Sequence, residues 1–424
     1  MTPELKGFLL VSIVKLLVVF TFILVGVALL TLLERKVSAW MQNRLGPNRV
    51  GYGGLLQPAA DGLKNITKEE TNPPFANRVL FNLAPAMAFI PAMTLSAVIP
   101  WAAPLPLHFD FTLGALGRFT FSGVTPMVVA DLPVGFLFIL AVSSLGVYGI
   151  ALAGWSSNSK YSLMGGLRAS AQMVSYEVGM GLSLIPVLLL TGNVSFSTII
   201  AEQQQGLWFC LPLMVGAFLF TVTGFAETNR VPFDLPEAES ELVAGYHTEY
   251  SAMKFSMFFI AEYAGMVTIS AMVATLFLGG WDIPFITWDQ TPGVAQTIAT
   301  AVVFFLKVFF FIFVFMWVRW TLPRFRFDQL MSLGWKVLIP LALAYVMVMA
   351  TALYVGQQLL GLTRPLYLHG FLAGVNLVLA VLVFFVLDRG SVIAGTGEQM
   401  RRQRLESAGR SRLNEAALPA APGR

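Results

Sequence analysis

Long apolar runs separated by short polar stretches dominate the chain. Read for runs of about 20 residues, the length that crosses a hydrocarbon core of roughly 30 Å, the sequence predicts nine spans. They lie near 11–33, 79–99, 133–153, 172–191, 208–226, 255–278, 297–318, 337–358 and 366–387. The first is too long for a cleavable signal and has no small-residue cleavage site before Glu34-Arg35-Lys36, so it reads as a permanent span. Between the second and third, 100–131 alternates polar and apolar residues, as in His108-Phe109-Asp110-Phe111-Thr112 and Arg118-Phe119-Thr120-Phe121, which predicts a short interfacial hairpin. Val37, Trp40, Met41 and Leu45, with basic residues between them, predict an amphipathic segment in the membrane surface. Pro85, Pro91, Pro186, Pro212 and Pro340 fall inside spans, where the carbonyls they free need other donors. The tail from Asp388 has no apolar face and is expected to be disordered. The pattern as a whole predicts an all-α polytopic membrane protein of about nine transmembrane helices with amphipathic surface helices. No internal repeat is visible, which argues against an inverted-repeat transporter.

Composition agrees with a lipid-solvated chain. Of 424 residues, 56% are apolar and 12% charged, against about 25% charged in soluble domains. Cys210 and the three histidines, His108, His247 and His369, are too few for an iron–sulfur cluster or a usual zinc site. None of the three histidines is read as lying within an apolar span, so any redox centre is assigned to a partner or a diffusible ligand. The charge distribution gives orientation. With the N-terminus outside, the segments 34–78, 154–171, 227–254, 319–336 and 388–424 face the cytoplasm and carry 22 of the 27 Lys and Arg. That asymmetry follows the positive-inside rule.

Ionisable residues inside spans carry the chemical signal, because they are costly in lipid and persist where paired or wetted. Glu177, Glu262 and Lys307 qualify. They fit either a structural ion pair or a proton relay whose groups burial brings toward a common pKa. Lys15 is nearer a membrane face and is expected to snorkel. The loop AETNRVPFDLPEAESELVAGYHTEY sets Glu227, Asp234, Glu237, Glu239, Glu241 and Glu249 against Arg230. A helix through Pro236 would stack Glu237 on Glu241. A solvated acidic face is the plain alternative, yet Phe233, Leu235, Leu242 and Val243 interleave the carboxylates and suggest a loop folded back into the protein.

Four stretches carry a resemblance: ERKVSAWMQNRLGPNRVGYGGLLQPAADGLKNITKE, GWSSNSKYSLMGGLRASAQMVSYEV, AETNRVPFDLPEAESELVAGYHTEYSAMKF and RWTLPRFRFDQLM. In that order they resemble the membrane-embedded H subunit of NADH:quinone oxidoreductase, respiratory complex I, known as subunit 1 in mitochondria. The resemblance implies an eight-helix core over 1–358; the chain departs from that pattern by continuing into an additional C-terminal helix over 359–387 and a basic tail over 388–424. It also implies a subunit of a proton-translocating enzyme, with no catalysis by the isolated chain and no metal or cofactor held by it. Quinone is the implied substrate, with FMN and iron–sulfur clusters in hydrophilic partners, and with small and antiporter-like membrane subunits and lipid as neighbours. Nucleic acid has no part in it. Glu34, Arg35, Trp40, Asp61, Arg230, Phe233 and Tyr263 are implied to line or gate the quinone chamber. Glu177, Glu227, Asp234, Glu237, Glu239, Glu241 and Glu262 are implied to couple it to proton transfer, with Arg168 and Lys307 as positive partners. The implied location is a bacterial inner (plasma) membrane, N-terminus outside and C-terminus cytoplasmic. A membrane subunit of a related hydrogenase, a plastid-type complex and a stand-alone cation/proton antiporter are the alternatives.

Overall fold

The computed structural model describes residues 2–113, 117–234, 244–284, 286, 288, 291–362 and 364–388. Glu237, Glu239 and Glu241, with the stacking expected of them, and the tail beyond Asp388 lie outside the described residues. Helices α1 (Pro3–Met41), α2 (Gln57–Thr67) and α3 (Arg78–Leu95) precede strands β1 (Ala102–Leu113) and β2 (Gly117–Met127). Helices α4 (Gly135–Ser156), α5 (Lys160–Thr191), α6 (Phe196–Gln205), α7 (Met214–Glu227), α8 (Ala252–Phe277) and α9 (Val294–Thr321) follow. The chain ends with α10 (Phe327–Leu333), α11 (Ile339–Tyr354) and α12 (Pro365–Asp388). A π-helical turn at Gly334–Leu338 joins α10 to α11, so that Phe327–Leu359 runs as one span.

Among the described residues, eight helices are long and apolar enough to cross a membrane, one fewer than predicted. The missing one is the fifth. Only Met214–Glu227 is helical there, and residues 207–213 are irregular. Pro212 explains the break, since it donates no hydrogen bond and disfavours helical geometry at Leu211. The expected hairpin is present but is longer than predicted, an antiparallel pair of twelve- and eleven-residue strands. Phe109 stacks across it on Phe121 and Phe111 on Phe119, while Asp110 pairs with Arg118. At its base, the Ala103 N–H donates to Thr300 Oγ1 of α9 (3.0 Å).

Small residues let the spans pack closely. A methyl group at Gly149 of α4 would sit 2.7 Å from the Ala88 nitrogen of α3, and one at Gly154 would sit 2.7 Å from the Ser162 carbonyl oxygen of α5. Such sites substitute for the hydrophobic drive that helices lack in lipid. The core that results, including Phe81, Ala84, Ile150, Ala169 and Phe258, holds Tyr250 stacked on Phe81 at 4.0 Å.

Helix α1 is about 58 Å long at 1.5 Å per residue, nearly twice the hydrocarbon thickness. Lys15 donates to Thr125 Oγ1 (2.6 Å) and to the Pro126 carbonyl (2.7 Å), so it snorkels to the hairpin's base as expected. Two compact units are distinguished, Met1–Asn376 and Leu377–Arg424. In the second, the described residues form the last turns of α12.

Candidate functional site

Four elements bring charge to one end of the bundle. Helix α1 supplies Glu34 and Arg35, the turn after α7 supplies Arg230 and Asp234, α8 supplies Glu262 and Tyr263, and the end of α9 supplies Arg319. Along α8, Phe255, Phe259, Glu262 and Tyr263 recur at helical spacing and share a face. The turn carrying Arg230 is tight, with Asn229 in the left-handed region at φ 49°. Gln172 of α5 fastens that turn, donating to the carbonyls of Ala226 (2.9 Å) and Phe233 (2.9 Å) and to Asn229 Oδ1 (3.0 Å).

Glu34 is buried and is the hub. Its Oε1 is 3.5 Å from Arg230 Nη1 and also pairs with Arg319, while its Oε2 accepts from the Tyr263 hydroxyl at 2.5 Å. Arg230 Nε lies 2.8 Å from Glu262 Oε1, and the guanidinium stacks 4.2 Å above the Tyr263 ring. Asp234 pairs with Arg324 (3.1 Å). Three carboxylates therefore pair with three guanidiniums; Glu34, Glu262 and Arg230 are the buried members, and Arg319 and Arg324 are partly exposed. Burial pushes the Asp234 carboxyl above its ordinary range, against the opposing pull of Arg324, Arg319 and Arg230. The guanidinium of Arg230 loses water to burial, yet Glu262, Tyr263 and Glu34 outweigh that loss and hold it firmly protonated.

This cluster borders a cavity of about 590 Å³, lined also by His247, Phe255, Phe259 and Trp320. A narrower cavity of about 110 Å³ shares Asn229, Tyr246, Phe258 and Glu262 with it and leads to Glu227. Glu227 is buried with Oε2 unpartnered among the described residues, and the nearby charge of Glu177 acts on it. Glu177 in turn accepts a hydrogen bond from Ser144 of α4. A third cavity of about 560 Å³ lies between α1, α8 and α9 and is almost wholly apolar, from Val18 and Phe22 to Lys36 and Leu55. Consecutive residues of α1 thus face a polar chamber at Glu34 and Arg35 and an apolar one at Leu33 and Lys36.

The remaining predicted residues divide between those that support the cluster and those placed elsewhere. Arg35 lines the polar cavity and holds Asp61 at 2.7 Å, with Gln57 on the other carboxylate oxygen. Burial alone would raise the Asp61 carboxyl, but the Arg35 and Gln57 hydrogen bonds and the nearby Lys64 bring it below the ordinary range. Lys36 closes the glycine loop through the Gly53 carbonyl (2.5 Å). There Gly54, at φ 84°, admits no side chain, because its Cβ would lie 2.1 Å from the Pro47 oxygen. Phe233 is buried against Tyr176 and Phe325 and anchors the turn from behind. Trp40 is 66% exposed and lines none of these cavities. Arg168 rests its guanidinium on the Phe327 ring at 4.8 Å.

Lys307 is not brought to the cluster. Its ammonium donates to the carbonyls of Leu278 (2.6 Å), Gly280 (2.9 Å) and Asp282 (2.7 Å) at the far end of α8. Sixteen residues along that helix from Glu262, this is a separation of about 24 Å. His369, although not read as lying within a span, falls inside the 366–387 limits and is fully buried within α12. Sequence reasoning missed Arg319 and Gln172. Among the described residues, no three His, Cys, Asp or Glu side chains converge as metal ligands.

The comparisons with known proteins agree over most of the chain. A family model described as NADH dehydrogenase matches residues 14–350. The second of the NADH-quinone oxidoreductase H subunits of Koribacter versatilis is 52% identical over 362 residues, covering 83% of this chain and 98% of that protein. The chain belongs to the H-subunit family of NADH-quinone oxidoreductase. The first of the H subunits of Geobacter sulfurreducens (52% over 336 residues, 79% and 92% covered) and the H subunit of Magnetococcus marinus (46% over 343 residues, 81% and 91%) are similar in the same way. Neither the antiporter nor the hydrogenase alternative is favoured by these relatives. A chain of this family is a multi-pass membrane component of a proton-translocating NADH:quinone oxidoreductase, not a free-standing catalyst. The matched region ends at residue 350, before α12 begins.

Proposed function

We propose that this chain forms the membrane side of the quinone chamber and passes the consequence of quinone reduction into the membrane. The observation that carries the reading is the Glu34–Arg230–Glu262–Arg319 cluster on the wall of a 590 Å³ polar cavity, with an apolar cavity of similar size on the other side of α1. The apolar cavity suits an isoprenoid tail, and the polar one suits a carbonyl-bearing headgroup that gains two electrons and two protons. Electrons arrive from iron–sulfur clusters, and ultimately FMN, held by hydrophilic partners that dock at the cytoplasmic face. Small and antiporter-like membrane subunits receive the signal laterally. The chain lies in a bacterial inner membrane with its N-terminus outside, as its basic loops imply.

The chain's own contribution is electrostatic. When the chamber's charge changes, the balance of three carboxylates against three guanidiniums is disturbed, and the nearest compensation is a proton on or off Glu262. Glu262 borders both the polar cavity and the narrower one that leads to Glu227, so the adjustment passes to Glu227 and then to Glu177. Glu237, Glu239 and Glu241 extend the carboxylate series in this reading, and Arg168 offsets it. Glu262→Gln tests the proposal because it keeps shape and removes the titratable charge. NADH:quinone reduction and proton pumping should fall together several-fold, while NADH:ferricyanide reduction is unchanged. Full coupled activity in that variant defeats the reading.

A further inference from the structure

The segment 207–213 is irregular backbone at the depth of a membrane span, where lipid offers no hydrogen bonds. Its polar groups are nevertheless met by neighbours. The Phe209 N–H donates to Gln203 Oε1 (3.1 Å) and the Cys210 N–H to the Phe277 carbonyl (2.7 Å). Two further partners come from α12. His369 Nδ1 accepts from the Leu207 N–H (3.0 Å), and Asn376 Nδ2 donates to the Pro212 carbonyl (2.5 Å).

Both α12 side chains are fully buried and lie seven residues apart, two turns along one helix face. Asn376 is further fixed by the Tyr345 hydroxyl of α11 (3.0 Å). The fit at His369 is close, since a methyl group at Gly206 would sit 2.3 Å from His369 Nδ1. Two polar side chains buried in one apolar span are costly unless they serve something. What they serve here is the broken end of α7, and the other end of α7 carries Glu227 and the turn bearing Arg230.

We infer that α12 is a brace for α7, with His369 and Asn376 as positioning residues that fix its outer end and thereby hold Glu227 and Arg230 in register with the carboxylate path. The functional half of this inference rests on the coupling role proposed above for those residues; the structural half does not.

Hydrogen–deuterium exchange of the assembled complex in lipid nanodiscs separates the two. In His369→Leu and Asn376→Leu, exchange across 206–213 and across 224–231 should accelerate about tenfold, the loss expected for one buried hydrogen bond. His369→Gln keeps an acceptor for the Leu207 N–H and should restore near-native protection. If the leucine variants do not assemble, Gly206→Ala, which pushes the imidazole aside, supplies the same readout. NADH:quinone reduction should fall in the leucine variants and recover in His369→Gln, with NADH:ferricyanide reduction constant throughout. Unchanged exchange, or acceleration confined to 206–213, overturns the brace. Accelerated exchange in both segments with normal quinone reduction leaves the brace standing and instead counts against the coupling role of Glu227.

Discussion

The two ends of the helical bundle handle charge in opposite ways. At one end Glu34, Glu262, Arg230 and Arg319 face one another across a cavity. At the opposite end Lys15 and Lys307 donate to backbone carbonyls, and no cavity borders their ammonium groups among those described. A carbonyl cannot change its charge, so a lysine capping carbonyls fixes one conformation. A carboxylate opposite a guanidinium beside water-sized space has two protonation states to choose between. The first arrangement stabilises, and the second can report a change.

The strongest way to break this contrast is Arg230→Leu. It strands Glu262 and leaves Glu34 to Arg319 alone, where removal of one partner of a buried pair costs about 3–5 kcal/mol. Quinone reduction should fall more than tenfold, and the loss should appear in quinone but not ferricyanide assays of assembled complex. Lys307→Met is the counterpart at the other end. Uncovering three carbonyls should cost about 1–3 kcal/mol, seen as a lower midpoint in thermal unfolding, with turnover per assembled complex unchanged. Normal stability with lost pumping would place Lys307 in the coupling path and dissolve the contrast.

Asp234→Asn sharpens it. The amide still reaches Arg324 but cannot balance its charge, so rotenone-sensitive quinone reduction should drop a few-fold, and an unchanged rate assigns that loop to a solvated face. The smallest effect concerns acid. Burial holds the His247 imidazole at about 4, below its ordinary 6.5. The unfolded segment therefore binds more protons between those values. Stability that is complete above pH 6.5 is lost as pH falls toward 4. Between pH 7 and 5.5 the loss should be about 1 kcal/mol, and His247→Gln should flatten that limb of the thermal-stability profile.

Much of the fold is legible in the sequence because a bilayer imposes a single length on every helix that crosses it. Eight predicted spans are realised, five within a few residues of their expected limits, while α1, α5 and the Phe327–Leu359 span begin eight to twelve residues earlier than expected. The fifth is misread because hydropathy counts apolar residues and is blind to backbone. Phe209, Cys210 and Leu211 score as lipid-soluble although Pro212 prevents the helix that would make them so. The hairpin shows in its alternating residues, but its length depends on pairing partners that lie outside it.

In the site, Glu262 is conspicuous because a carboxylate stands in an apolar run. Arg319 is not, since a basic residue ending a span already satisfies the positive-inside rule. Gln172 carries no charge and gives no signal until the turn it fastens is folded around it. Lys307 draws notice for the same reason as Glu262, but a one-dimensional pattern does not say which end of a 26-residue helix it serves.

The spacing of polar anchors on α1 makes membrane thickness a variable of the site. From Lys15 at the hairpin to Glu34 at the charge cluster is nineteen residues, about 28 Å, close to a typical hydrocarbon core. A thicker bilayer would draw the Glu34 end inward or straighten a tilted helix, at a cost of fractions of a kcal/mol per ångström. Since Glu34 is the hub on which Arg230, Arg319 and Tyr263 converge, acyl-chain length becomes a dial on the chamber's electrostatics, acting with no change to the protein.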